Sequence, residues 1–442
     1  MTKILYAAYF FPPMGGAGVQ RSQKFVRYLP EQGILPEVLT SPLAGDLPWA
    51  PKDESLADEI PSVVPVHRVA AAGAAPVKPS RMQRRMRTLL GKTSEFSGWW
   101  RDALVAKGAA VFDGSQKAIV ATMSPFETAE GAGILSQRLG IPWIADLRDP
   151  WALDEMQLYT SGLHRRMEES RMERLLSSAS AIIMNTPGSE AALRERFPRL
   201  AKVALNITNG YDAEDFTAPL TPRTDGKFRI VHSGSLHSKA GLELRSNWLK
   251  RALGGAKSNV DILTRSHAIL VEALELWAAR RPEVRETVEF VCAGNASAED
   301  KAITASSSMA GSLRFTGYVS HGESTGLLRT AELLFLPMHN LPPGVPSLIV
   351  PGKTYEYIAA GRPILAAVPD GDVRTILAGS GMASVCRPDD REAMARILEE
   401  RYAAWREGKP GPAPNASYVA SFERRALTAR LADVVRRVTG TA

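Results

Sequence analysis

The amino-acid sequence predicts an α/β protein made of two Rossmann-like parallel-sheet domains. Three observations carry that expectation. The chain is 442 residues long, beyond the roughly 250–300 residues at which one hydrophobic core stops growing. Short apolar runs rich in Val, Ile and Ala alternate with helical stretches, as strands buried on both faces of a parallel sheet do. The alternation comes in two rounds, parted over residues 213–228 by AEDFTAPLTPRTDGKF, where the apolar pattern lapses into Pro, Thr, Gly and charge.

The first round opens on KILYAAYF, a continuous apolar strand, and a helix from Gln20 to Glu31 that ends near Gly33. LPEVLTSP reads as the second strand, and AIVATMSP, PWIADLRDP and SAIIMNTP as later ones, with a charged helix from about His164 to Ser177 between the last two. The second round runs FRIVHSGSL, a helix near 264–280, VEFVCAG, LRFTGYV, ELLFLP, a helix over 353–360, RPILAAVP and MASVCRP. Beyond a Pro/Gly-rich break at 409–414, SFERRALTARLADVVRR is an amphipathic helix. Domains are therefore expected over residues 1–215 and 228–412, with a terminal helix within 416–442. After His237 the chain carries about twenty-three more residues than the ~2–6 of a short loop. This basic segment, with Leu242, Trp248, Leu249 and Leu253 able to share one helical face, is a surface contact or an ordered insertion.

Hydrophobic residues make up 45% and charged residues 23% of the chain, a globular composition rather than a disordered one. No apolar run reaches the ~18–20 residues that span a bilayer. The apolar N-terminus stops at a double proline without a small-residue cleavage site, so it reads as a buried strand and not as a signal peptide. Cys292 and Cys386 lie in apolar runs, as inert core thiols of a reducing compartment do, and a cytoplasmic location is expected. No Cys or His cluster has metal-ligand spacing, and neither metal nor cofactor is expected. The net charge of +7 is concentrated: KPSRMQRRMRTLLGK, Lys78 to Lys92, contains Arg81, Arg84, Arg85 and Arg87 and no acid, with Trp99 and Trp100 soon after. Such a segment suits the inner face of an anionic membrane or a solvated helix docked on its own domain, and both readings stay open. Nucleic acid is disfavoured, because no recognition motif accompanies the charge.

Several motifs fall at strand ends, where open parallel sheets bind ligands. In FPPMGGAGVQR, Arg21 stands where a dinucleotide fingerprint has its third glycine, and the second strand ends in Thr40-Ser41 without the ribose-binding acid. What remains is a glycine-lined junction, with Gly15, Gly16 and Arg21, suited to an anion at a helix N-terminus. IADLRDPW sets Asp146, Arg148 and Asp149 together, able to orient hydroxyls and anchor a phosphate or to form an internal ion-pair cluster. Asn209-Gly210 in ITNGYDAEDF permits positive φ. IVHSGSLH offers Ser233 and Gly234 for close backbone approach, and PGKTYEYIAAGRPILA places Lys353 and Glu356 in the first turn of a helix. There a lysine can hold a diphosphate and a glutamate can accept two hydrogen bonds from a ribose diol.

In this order FPPMGGAGVQR, DLRDPW, NTPGSEAALRERFP, ITNGYDAEDF, HSGSLH, FTGYVSHGE and PGKTYEYIAAGRPILA, the chain resembles the retaining family 4 glycosyltransferases of the GT-B fold, nearest the branch of bacterial polysaccharide and glycoconjugate assembly. The resemblance leaves out roughly residues 45–110 and 239–260. It implies two domains facing each other across a cleft, with the terminal helix returning to the first, and a nucleotide-sugar donor held mainly by the second. The acceptor would be a glycan or lipid-linked glycan. Glu356 matches the family's ribose-binding glutamate, whereas the glutamate expected eight positions earlier is Leu348. Lys353 would serve the diphosphate, Lys239 or Arg245 would replace the family's Arg and Lys, and Gly15 and Gly16 would approach the donor phosphates. Asp146, Arg148 and Asp149 would shape the reacting centre, and no metal would be needed. Two other readings keep the fold: a catalytically weak nucleotide-sugar-binding partner of an assembly complex, and a non-hydrolysing sugar-nucleotide epimerase.

Overall fold

The computed structural model describes residues 1–16, 18–42, 52–69, 98–247, 253–255 and 259–441. The chain divides into two compact units, Met1–Asn209 with Arg424–Ala442, and Gly210–Glu423. The charged stretch 213–228 thus lies inside the second unit. The tail is divided too: a short helix Ala416–Ala420 belongs to the second unit, and the long helix Arg424–Thr439 to the first.

The first unit holds a seven-stranded parallel sheet: β1 Thr2–Ala8, β2 Ile34–Thr40, β3 Val66–Arg68, β4 Gln116–Met123, β5 Trp143–Leu147, β6 Ala181–Met184 and β7 Ala204–Asn206. Their order is β3-β2-β1-β4-β5-β6-β7, so the chain reverses its direction of travel between β1 and β4. β3 and β7, three residues each at the two edges, are too short to show in a pattern of apolar runs. The helix after β1 covers Gln20–Tyr28 and tightens into a 3₁₀ turn that Gly33 closes at φ 76°. The helix expected from His164 begins at Gly162, because the Ser161 hydroxyl accepts from the His164 N–H as its N-cap. From the C-terminal helix, Leu427, Leu431, Val434 and Val435 pack with Phe25, Val26 and Leu29 against Ile4, Tyr6 and Val120 of the sheet.

The second unit repeats the plan with six parallel strands: β8 Phe228–Ser233, β9 Val288–Ala293, β10 Leu313–Gly317, β11 Leu333–Pro337, β12 Ile364–Ala367 and β13 Ala383–Cys386, in the order β10-β9-β8-β11-β12-β13. Its reversal lies between β8 and β11. Because side chains alternate along a strand, one face presents Phe228, Ile230, Phe290 and Phe335 to the helix Ala268–Arg280, through Leu270, Leu274 and Trp277. The opposite face presents Val231, Val291, Leu334 and Leu336 to Tyr355 and Ile358 of the helix Lys353–Ala359 and to Ile376 and Leu377. Both faces are covered, which is why the strands read as unbroken apolar runs. Both units are Rossmann-like, and each has one reversal point at which ligand chemistry is expected at the C-terminal strand ends.

Candidate functional site

In the second unit the reversal point gathers basic side chains. His232, the penultimate residue of β8, has its Nδ1 3.0 Å from the Phe335 carbonyl of β11 and its Nε2 3.0 Å from Lys353 Nζ. The Ser233 N–H donates to the Tyr357 hydroxyl at 2.8 Å, tying the strand end to the same helix. Gly234 then turns away with φ 103°, and a Cβ there would lie 2.9 Å from Lys353 Nζ, so only glycine lets the amine rest at this position. Gly294 after β9 is equally tight, since its Cβ would meet the Gly234 carbonyl at 2.7 Å.

The electrostatics follow from that crowding. Burial and the neighbouring Arg265 push the Lys353 amine down to about 7. Burial, Arg265 and Lys353 hold His237 down at about 3, and burial with Lys353 keeps His232 neutral. His237 Nδ1 is buried without a hydrogen-bond partner. Glu356, partly buried and one turn on from Lys353, favours the charged amine, and Asp300 favours charge on His237, but neither restores the ordinary value. The Asp300 carboxylate is already occupied by Ser238 and Ser297. A strand end that sets the charged Arg265 beside the Lys353 amine and the neutral His237 favours an anion.

The first unit brings the other expected residues together differently. Arg21 does not stand free at an anion site. Its Nε and Nη2 donate to Asp146 at 2.7–3.1 Å, and its remaining donors reach the carbonyls of Ile207 and Thr208 and Asn209 Oδ1. Asp146 also accepts from Thr122 Oγ1 and is fully buried, and Arg21 is 5% exposed. The pair joins the helix after β1 to the end of β5 and to the chain beyond β7. Arg148 instead extends over the Phe10 ring, with its CZ 5.5 Å from the centroid, and contacts Ser124 Oγ and Asp149 at 3.3 Å. The Arg148 atom that faces Asp149 is Nε, which is buried and ion-pairs there without a hydrogen bond, while the Asp149 carboxylate is about half exposed. Gly18 of the glycine loop packs directly on the Arg148 guanidinium. Gly16 has φ 93°, whereas neither Asn209 nor Gly210 adopts positive φ.

Other expectations are corrected. Trp100 is no membrane contact: it is fully buried, donates from Nε1 to Thr128 Oγ1 at 3.0 Å and packs edge-on against Tyr9. Trp99 is partly buried beside the same tyrosine, 6.0 Å between centroids. Arg81, Arg84 and Arg85 lie outside the described residues. So do Trp248 and Leu249, while Leu242 and Leu253 are exposed. The sequence contains the Asp-x-Asp triplet Asp370-Gly371-Asp372, the spacing of a metal-binding motif. Its Asp370 stands 3.5 Å from Arg374 and 3.8 Å from Arg387, as an ion-pairing loop residue. Among the described residues no helix is long and apolar enough to cross a membrane.

Comparison with known proteins decides what carries these two sites. Residues 15–206 match the family described as Glycosyl transferase 4-like domain, and residues 261–403 match Glycosyl transferases group 1. The chain belongs to the family 4-like glycosyltransferases. Solved structures of similar fold include Anabaena Alr3699/HepE in complex with UDP, 14% identical with TM-score 0.60 over 99% of this chain and 100% of that one. Sucrose-phosphate synthase from Thermosynechococcus elongatus is 15% identical with TM-score 0.62, covering 100% of both chains. A candidate UDP-N-acetylglucosamine 2-epimerase from Listeria monocytogenes is 11% identical with TM-score 0.53, over 98% of this chain and 96% of that one. At such identities the likeness is one of fold, the GT-B architecture of two parallel-sheet domains. No curated protein matches by sequence.

In this family 4-like glycosyltransferase the sequence pattern did not reveal Arg265, His232 and His237 as site residues. Lys239 or Arg245 is the expected replacement for the family's phosphate-binding Arg and Lys, yet Lys239 is exposed and Arg245 pairs with Asp261 at 2.6 Å. Arg265 takes the place beside Lys353 because the insertion is closed at its base, where the His237 N–H donates to the Arg265 carbonyl at 3.1 Å. The available signal was modest: Arg265 is the first arginine past the inserted segment, directly before the helix of the second round.

Proposed function

We propose that the chain transfers a sugar from a nucleotide-sugar donor to a glycan or lipid-linked acceptor, with retention at the anomeric carbon and without a metal. The observation that carries this reading is the cluster of Lys353, Arg265 and His237 at the β8/β11 reversal point. It suits a diphosphate, and Glu356 beside it suits the ribose diol. UDP in the structurally similar HepE complex supports a nucleotide as the anion.

On this reading the bond from the anomeric carbon to the diphosphate oxygen breaks as Arg265 and the Lys353 ammonium take up its developing charge. Stabilising that charge is usually the largest single contribution to such catalysis. The acceptor hydroxyl forms the new bond on the same face, and its proton passes to the departing phosphate oxygen. No carboxylate nucleophile is required. In the first domain Asp146 is committed to Arg21, so Arg148 and Asp149 are the members of the triplet left to orient an acceptor.

Two measurements test this. Calorimetry with UDP, GDP, ADP and dTDP is expected to find one preferred nucleotide, bound about tenfold or more weakly by Glu356→Ala and Lys353→Ala, with melting temperatures of the free proteins preserved. Unchanged binding by both variants removes the site assignment. Release of nucleoside diphosphate from sugar donors is expected only with acceptor present, whereas interconversion of donors without acceptor, the activity named for the Listeria structure, would make the chain an epimerase.

A further inference from the structure

We propose that His232 is a positioning residue of the anion site: it holds the Lys353 amine beside Gly234, and a diphosphate binds there with uptake of one proton onto that amine. The inference rests on the donor-site reading above and adds to it how the charge of the site is set.

The geometry fixes the roles of the two nitrogens. Nδ1 of His232 faces the Phe335 carbonyl, which can only accept, so Nδ1 carries the ring proton. Nε2 is then a bare lone pair, and Lys353 Nζ, 3.0 Å away, must donate to it. The ring itself cannot turn, since β8, β11 and the Lys353–Ala359 helix hold it from three sides, with the Tyr357 hydroxyl 3.5 Å from Nδ1. Gly234 supplies the open space that the amine occupies.

The surrounding groups explain why, above about pH 7, the amine gives up its proton so readily in the absence of an anion. Arg265, His237 and His339 come from the segments flanking the insertion and following β11. Cys292 comes from β9, Glu356 and Tyr357 from the amine's own helix, His267 from the start of the helix Ala268–Arg280, and Asp300 from the helix Ala298–Ala305. Arg265 is permanently charged, Cys292 is a thiol pushed up to about 12, and Asp300 serves Ser238 and Ser297. Together with burial, this shell leaves the amine at about 7 instead of its ordinary 10.5. A diphosphate adds negative charge beside Nζ and favours the ammonium. The proton comes from solvent and stays on Nζ, because His232 cannot also be charged 3.0 Å from it.

The test is calorimetry at about pH 8 with UDP and with inorganic pyrophosphate, in two buffers of very different ionisation enthalpy. A terminal phosphate ester has its last pKa near ~6, so at this pH UDP itself takes up no proton and carries the proton count, while pyrophosphate, which keeps its last proton at this pH, is read for affinity alone. Wild-type binding heats are expected to differ between buffers by close to one proton taken up, and Lys353→Met to abolish that difference. His232→Phe is expected to bind about tenfold more weakly, and His232→Gln, which keeps an acceptor toward the amine, to recover most of the loss. Equal heats in both buffers, or uptake that persists in Lys353→Met, overturns the inference while leaving the donor site standing. So does wild-type affinity in a folded His232→Phe. Failure of both probes to bind the wild-type protein removes the donor-site reading as well. Should His232→Phe not fold, the wild-type and Lys353→Met arms decide.

Discussion

Gly18 packs so closely on Arg148 that a single added carbon would overlap the Nη1 atom of the guanidinium. The backbone at Gly18 is not in the left-handed region, so it is the contact and not φ that calls for glycine here. The glycine loop after β1 therefore makes room for an arginine delivered by the end of β5.

Gly18→Ala is expected to fold normally, because the atom it displaces is the far end of a flexible side chain. Melting temperature should stay within a few degrees of wild type. If Arg148 orients the acceptor, turnover should fall about tenfold to a hundredfold from its misplacement. Full activity in this variant would exclude Arg148 from the reacting centre.

Asp146→Leu leaves the Arg21 guanidinium buried without its charge partner. The expected cost is about 3–5 kcal/mol, read as a lower urea midpoint. Arg21→Met together with Asp146→Leu should cost less than the sum of the two single changes, because neither charge is then stranded. Simple additivity in that cycle would show that the pair does not couple.

Stability should fall as the medium is acidified. His237, held at about 3, and His232 and His267, held low by burial, are neutral in the folded protein. In the unfolded chain they take up protons near ~6.5, so stability contributed by the neutral form is intact above that value and is lost as pH falls toward 3. Lys353 acts with the same sign at higher pH: its folded amine deprotonates near 7 and its unfolded one near 10.5, so stability rises across that interval. Urea midpoints of the nucleotide-free protein from pH 4 to 9 should follow this slope, and His237→Gln should flatten its acidic part. A midpoint unchanged between pH 7 and 4.5 would contradict the burial of these imidazoles as neutral groups.

The broad plan was legible because it rests on local patterns. KILYAAYF, AIVATMSP and ELLFLP are buried on both faces and so are apolar throughout, whatever lies next to them. Ends of elements were less legible. The helix after PWIADLRDP starts where Ser161 caps it, and β3 and β7 are three-residue edges that pattern alone does not reveal. The motif residues were found as types, but their partners were not. Arg21 read as a free charge for an anion, and only the adjacency of the β1 and β5 ends, with β4 between them, turned it onto Asp146, 125 residues away.

The sequence by itself determined two rounds of buried strands, the order of motifs at their C-terminal ends, and through these the family. Tertiary structure decided which charges serve a ligand and which serve the fold. Arg265 reached Lys353 because an insertion closes at its base, Trp100 went inward to Thr128, and His232 met both Phe335 and Lys353 at the strand reversal. The physical reason is one of range. Apolar periodicity is set by neighbours along the chain, whereas a charge takes its role from whatever the sheet order brings within about 3–4 Å of it.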